Sequence, residues 1–323
     1  MTPPPDAAVA LRARRARAAG LAHALEVLWR FGRPHTIIGT TLSVAGLYVV
    51  AASELPGVAL TGSDGLFQLV CTLVAALCVN LFIVGINQIT DVEIDRVNKP
   101  GLPIAAGELP LGAAWAIVGV AGAVPVLMAL TQGALELAAV LAALAIGTAY
   151  SVPPLRLKRF PALASLSISL VRGIVVNLGV YLHFSQALSG GSSIAGPVWA
   201  LTLFVLPFSF AIAILKDVPD IEGDRRYRIT TFSVRFGAEH VVRLALGVLT
   251  VAYVAMATAG AVLLDTVNAP VLIATHVLGL VLLWRWRAGV DVHDRDAFTG
   301  FYMAVWKLFF LEYAFVALAC LTA

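Results

Sequence analysis

Nine stretches of about 20 apolar residues, each long enough to cross a hydrocarbon layer of ~30 Å as an α-helix, constrain this chain more than any other feature. They run at roughly 36–53, 66–88, 112–131, 133–150, 162–185, 197–216, 240–264, 268–286 and 298–321. The runs are continuous rather than alternating, which argues for helices and against a β-barrel. Composition removes the other classes. AVILMFWYC residues make up 60% of the 323-residue chain and DEKR only 13%, with a mean hydropathy of +0.90, whereas soluble domains carry about 25% charged residues. No polar low-complexity tract or Gly-X-Y period runs through it, so disorder and collagen fall as well. The expected fold is all-α, a multi-pass transmembrane helical bundle with nine transmembrane helices.

Where the charge sits sets the topology. The net charge is +3, and 20 of the 22 Lys and Arg fall in the N-terminal segment or in the loops or loop flanks around 89–111, 151–161, 217–239 and 287–297. The alternate loops, 54–65, 186–196 and 265–267, carry none, and only Arg172 and Lys307 lie inside spans. By the positive-inside rule the N-terminus and every charged loop are expected in the cytoplasm, and an odd number of spans puts the C-terminus outside.

Residues 1–34 form an expected cytoplasmic N-terminal segment ahead of a membrane domain over 35–323. They lack the short apolar core and small-residue cleavage pattern of a secretory signal. Their Ala/Arg-rich composition could pass for a short transit peptide, but Ser is absent before Ser43, and an amphipathic surface helix is the expectation. Cys71 and Cys78 lie seven residues apart, about 10 Å of helical rise, too far for a disulfide, and Cys320 is alone.

The chemistry is expected in two loops. In the first, Asn87, Asp91 and Asp95 recur every four residues, which on a helix continuing from the second span places them along one stripe, with Glu93 on the opposite side. In the second, Asp217, Asp220 and Asp224 stand at i, i+3 and i+7, again one face, with Glu222 as the outlier. Pro219 cannot continue the sixth span, so Asp217 is expected at the end of one helix and the other two on the next turn. Acidic residues in a loop usually face water and do nothing. Two separated rows, each at the end of an apolar span, are a different matter, because gathered carboxylates disfavour one another's ionisation unless a cation joins them. The donors are all oxygen, which selects a hard ion, Mg²⁺ first and Mn²⁺ second. Mg²⁺ shares carboxylates with substrate phosphates, so two rows facing each other imply a diphosphate clamped between two ions, with all five aspartates serving catalysis. Lys99, Lys158, Arg159, Lys216 and Arg225 lie in the loops of the same face and are candidates for the phosphate oxygens that metals leave free. The pattern of span, acidic row and span at 66–131 recurs at 197–264, which suggests an internal duplication.

Among the remaining residues, Arg172 is the sharpest, because a charge inside a span costs roughly 2.5–3.5 kcal/mol and must find a partner. It is expected to bind an acceptor carboxylate or the diphosphate, with a structural salt bridge as the alternative. Asn177 and Tyr181 are weaker cavity candidates, since at five and nine residues on they do not both share the face of Arg172. Lys307 and Glu312 are expected to pair structurally with other helices, and Tyr150 to anchor the interface.

The two acidic signatures resemble those of the UbiA superfamily of intramembrane prenyltransferases. RPHTIIGT (33–40), NQITDVEIDRVNKPGLPIAAGE (87–108), YSVPPLRLKRFP (150–161), RGIVVNLGVY (172–181), LKDVPDIEGD (215–224) and FYMAVWKLFFLEY (301–313) most resemble its homogentisate phytyltransferase branch. The resemblance implies nine helices around a central cavity capped by the acidic loops. It implies transfer of a phytyl or geranylgeranyl group from its diphosphate to the ring of homogentisate, with loss of CO₂, in tocopherol or prenylquinone biosynthesis. It also implies Mg²⁺ on Asn87, Asp91, Asp95, Asp217, Asp220 and Asp224, and diphosphate on Lys158. The implied partners are the prenyl diphosphate, the aromatic acceptor and the lipid bilayer, with no nucleic acid. No long plastid transit segment precedes residue 33, a departure from plant members that makes a bacterial plasma membrane the expected location. The rivals are another UbiA-type reaction (chlorophyllide, naphthoate or glycerol-lipid prenylation) and, from a different class, a cation-coupled transporter, which would place its carboxylates near the bilayer midplane on broken helices.

Overall fold

The computed structural model describes residues 20–226 and 229–323. Among them nine helices are long and apolar enough to cross a membrane. A helix over 20–31 (α1) exposes Leu21, Leu25, Leu28 and Trp29 on one stripe and buries Val27 and Phe31, the amphipathic pattern of a helix lying at an interface. The earlier residues of the N-terminal segment, and Arg228 in the second acidic loop, lie outside the described residues.

The spans are α2 (Pro34–Glu54), α3 (Ser63–Thr90), α5 (Leu111–Gln132), α6 (Ala134–Ser151), a composite fifth span, α9 (Gly196–Leu215), α12 (Ala238–Val262), α13 (Ala269–Arg287) and α14 (Arg295–Leu321). Short helices α4 (Val92–Asn98), α10 (Ile221–Arg226) and α11 (Phe232–Phe236) lie in the charged loops. All nine fall within a few residues of the apolar runs, because the requirement that produces them is local.

The fifth span departs from a single α-helix. It begins as α7 (Pro161–Ser169), passes through a π-helical segment (Leu170–Val180) and ends as α8 (Tyr181–Ser189). In an i→i+5 winding, residues five apart lie nearly over one another, so Arg172 and Asn177 share a side that α-helical spacing denies them. Both face α14: the Arg172 guanidinium lies 4.4 Å from the Trp306 ring centre and 5.7 Å from that of Phe309, and the Tyr313 hydroxyl donates to Asn177 Oδ1 at 2.8 Å.

Packing is centred on α9 and α14, the two most buried spans. Phe204, Phe208, Trp306, Phe309 and Tyr313 interlock there in edge-on and tilted pairs, the geometry that ring quadrupoles favour. On the other side α3 packs on α5 so closely that a Cβ at Gly85 would stand 2.5 Å from Val118, which only a glycine permits. Between these two packed halves the bundle holds a cavity of about 260 Å³.

Candidate active site

The first acidic row is nearly the helix its spacing predicts. α3 stops at Thr90, Asp91 adopts φ −118° and ψ 15°, and α4 restarts at Val92. The break is slight, for Asp95 N still donates to Asp91 O at 2.8 Å. Asn87 Nδ2 donates to Asp91 Oδ2 at 3.1 Å. Glu93 points away as expected and pairs with Arg96 at 2.7 Å. In the second row α9 ends at Leu215, so Asp217 and Asp220 both sit in the turn that Pro219 forces, and only Asp224 is on α10.

The rows meet, and basic or amide side chains join them. Lys99 Nζ donates to Asp220 Oδ2 at 2.5 Å, and Asn98 Nδ2 to Asp224 Oδ1 at 3.1 Å. Arg295 donates to the Asn98 carbonyl at 2.5 Å and lies 3.8 Å from Asp220 Oδ1. At Gly223 a Cβ would overlap Asn98 Oδ1 at 1.6 Å, so the seam between the loops closes only over glycine. Asp95, Asp220 and Asp224 are each 6% exposed, and the rows face one another rather than bulk solvent.

Asp91 is held from the 151–161 loop by Lys158 Nζ at 2.6 Å and Arg156 Nη2 at 3.0 Å. Arg33 Nη2 donates to Asn87 Oδ1 at 3.3 Å. Arg33 (φ 54°) and Arg156 (φ 38°) are the non-glycine residues with left-handed backbone among those described. Such a conformation costs roughly 1–3 kcal/mol and survives where surrounding structure imposes it, and here it aims two guanidinium groups at the first row.

Below the rows lies the cavity. Arg33, Asn87, Tyr150, Lys216 and Tyr302 line its charged end, and Arg172 and Trp306 its wall. Lys216 donates to the Tyr150 hydroxyl at 2.9 Å, so Tyr150 belongs to the mouth and is more than an interfacial anchor. Arg172 Nη1 is buried with no hydrogen-bond partner.

Several expected site residues are elsewhere. Asn177 and Tyr181 are 0% and 1% exposed and line no part of the cavity; Asn177 is used by Tyr313 instead. Arg159 stacks on exposed Phe160 at 4.9 Å, and Arg225 is exposed on α10. Neither is brought to the rows; Arg33, Arg156 and Arg295 stand there. Spacing could not have found these three, although Arg33 and Arg156 each lie in a segment that carries a family-like motif. Lys307 is exposed, and Glu312 pairs with His276 at 3.1 Å, a helix-to-helix contact.

Among the described residues no three acidic, imidazole or thiol groups converge closely enough to hold a metal by themselves, and Lys99, Arg156 and Lys158 each hold a carboxylate oxygen of the rows. The donor set still fits Mg²⁺, which uses one or two carboxylates and completes its shell with phosphates and water. Asp95 Oδ2 is buried without a partner. Burial pushes the Asp95 carboxyl up to about 6 against the pull of Arg33 and Lys99. Burial, reinforced by Asp217 and Asp220, pushes Asp224 up to about 7. Burial also draws the Lys158 ammonium down to about 8 against the pull of Asp91. Asp95 and Asp224 thus show the conflict that a cation relieves.

That conflict has a measurable sign. A carboxyl raised on folding adds stability that is complete below its ordinary value of 3.8 and is lost as pH rises through its folded value, here about 6 and 7. In chelator, the melting temperature is expected to fall from about pH 5 to about pH 8, and the Asp95→Asn, Asp224→Asn double variant to lose that fall. A wild-type melting temperature that climbs across the window overturns the assignment.

Comparison with known proteins follows the same lines. Residues 46–309 match the UbiA prenyltransferase family. The chain is 46% identical over 297 residues to a homogentisate phytyltransferase of Synechocystis sp., covering 91% of this chain and 96% of that one. It is 38% identical over 291 residues to a chloroplastic homogentisate solanesyltransferase of Arabidopsis thaliana, covering 88% and 74%. Its fold superposes on a UbiA homolog from Archaeoglobus fulgidus solved with GPP and Mg²⁺, with a TM-score of 0.64 and 20% identity, over 90% of this chain and 99% of that one. With its nine apolar helices, its two acidic rows and relatives matched over most of their length, the chain belongs to the UbiA prenyltransferase family.

Proposed function

We propose that this integral membrane protein transfers a phytyl or geranylgeranyl group from its diphosphate to the ring of homogentisate, with loss of the acetate carboxyl as CO₂, in tocopherol or prenylquinone biosynthesis. The observation that carries the reading is the meeting of two acidic rows, interleaved with lysine and arginine, at the mouth of a largely apolar cavity. The likeness to the homogentisate phytyltransferase supports the acceptor, and the neighbour solved with Mg²⁺ supports a divalent ion. The carboxylates lie beyond the ends of α3 and α9, where a transporter's midplane site would not be.

Two Mg²⁺ ions, with Mn²⁺ as a substitute, would supply charge neutralisation for the departing diphosphate. Asn87, Asp91 and Asp95 would hold one, and Asp217, Asp220 and Asp224 the other. Lys158 and Arg156 on one side, and Lys99 on the other, exchange carboxylate oxygens for phosphate oxygens when the donor arrives. The apolar walls exclude water from the allylic cation. Arg172, stacked on Trp306 with Nη1 free, receives the acceptor carboxylate. The basic loops are assigned to the cytoplasmic side of a bacterial plasma membrane, and 35–323 to the catalytic unit.

An acceptor-by-donor activity matrix with product mass, on purified protein in detergent, tests the reading. Homogentisate with phytyl or geranylgeranyl diphosphate is the expected pair, and Arg172→Ala is expected to raise KM for homogentisate far more than for the donor. A preference for naphthoate or chlorophyllide overturns the acceptor.

A further inference from the structure

The cavity ends on a polar floor that the transfer reaction does not use. Glu136, in the first turn of α6, is 3% exposed and lines the cavity. Tyr150 lines the mouth from the same helix, and the fourteen residues from 136 to 150 amount to about 21 Å of rise. α3 gives the same depth independently: Asn87 lines the mouth and Thr72 the interior, fifteen residues or about 22 Å away. The intervening wall is largely apolar, with Val140, Ala143 and Gly147 of α6 and Val79 and Val175 opposite, and with Asn80 and Arg172 nearer the mouth.

Behind the floor stands His183 of α8. Its Nδ1 lies 3.9 Å from Glu136 Oε2, it is 2% exposed, and its Nε2 is buried without a partner. Thr72 is 1% exposed, and its Oγ1 is also unpartnered. Ionisable groups buried at membrane depth are costly and mark function more often than packing. Ion, proton and phosphate chemistry are remote, since the acidic rows lie at the far end of the helices. What reaches this floor from the mouth is the tail of whatever lies in the cavity.

We infer that Glu136, with His183 beside it, is the residue that limits prenyl chain length, setting the cavity to a diterpenyl tail. The inference rests on the proposed transfer reaction. Each methylene laid along the apolar walls gains burial, but a tail longer than the cavity must press hydrocarbon against a buried acid. That opposes further length. Glu136 is a specificity-determining residue, not a catalytic one, because it touches the inert end of the donor.

The test uses the full-length protein with homogentisate and a donor series of geranyl, farnesyl, geranylgeranyl and solanesyl diphosphates. Glu136→Ala is expected to raise the solanesyl-to-geranylgeranyl ratio of kcat/KM by at least about tenfold, within the range that pocket-size changes achieve. Val140→Phe, one turn nearer the mouth on the same face, is expected to shift preference toward farnesyl and geranyl donors. Glu136→Gln, which keeps the length of the side chain, is expected to keep the wild-type ranking. Opposite shifts in the first two variants are something a merely structural pair would not produce, and Glu136→Asp, which keeps the carboxylate but draws it back by one methylene, is expected to shift the ratio toward solanesyl and decides if Glu136→Ala does not fold. Wild-type ranking in both, or a Gln variant shifted as far as the Ala variant, overturns the floor while leaving the transfer reaction standing. A wild-type protein that turns over no prenyl diphosphate overturns both.

Discussion

Asp91→Asn and Asp220→Asn, made separately, are each expected to lower the rate of prenyl transfer by about 10²–10³-fold, the usual cost of removing one preorganised electrostatic group. The two residues are the junctions of the site. Asp91 receives Asn87, Arg156 and Lys158, and Asp220 receives Lys99 and lies 3.8 Å from Arg295. An amide keeps the shape of the carboxylate and its ability to accept a hydrogen bond, but it removes the charge that orders these lysines and arginines and that a bridging cation requires. The fold should survive, because both residues lie past the ends of apolar spans and outside the aromatic core of α9 and α14. The measurement is initial rate beside thermal melting. Full activity in both variants would sink the assignment of the acidic rows, and a matching loss of melting temperature would reassign them to stability.

Chelation is the second large effect. EDTA is expected to stop turnover, Mg²⁺ to restore it, and Mn²⁺ to restore part of it. The reason is charge balance. Among the described residues at the rows and mouth, Arg33, Lys99, Arg156, Lys158, Lys216 and Arg295 face Asp91, Asp95, Asp217, Asp220 and Asp224. Six cations against five carboxylates leave a surplus of one, which falls short of the negative charge that an arriving diphosphate brings. Its departure in the transition state concentrates that charge further. Undiminished turnover in chelator would show that lysine and arginine suffice. Since Lys99 and Lys158 are already engaged by Asp220 and Asp91, the expectation is that they do not.

How much of this was legible in the amino-acid order differs by scale. Nine spans and the paired acidic rows follow from local rules: an apolar run must bury its own backbone, and residues four apart share a helical face. Those rules act within about 20 residues and leave their mark in any window of that size. Which basic residues reach the rows is a different kind of fact. Arg33, Arg156 and Arg295 come from the start, middle and end of the chain, while Arg159 and Arg225, closer by motif, turn away. The π-helical winding of Leu170–Val180 likewise changes which side Asn177 faces, and nothing in its composition announces it. The floor is tertiary in the same sense, for Glu136 and His183 are polar interruptions on separate spans until α6 and α8 are packed. Hydropathy and spacing are summed along the chain, and so order alone determined that this protein spans a membrane and carries two acid-bearing loops. Convergence depends on how α9 and α14 pack the spans around them, and only the tertiary structure decided which cations hold the acids and where the cavity ends.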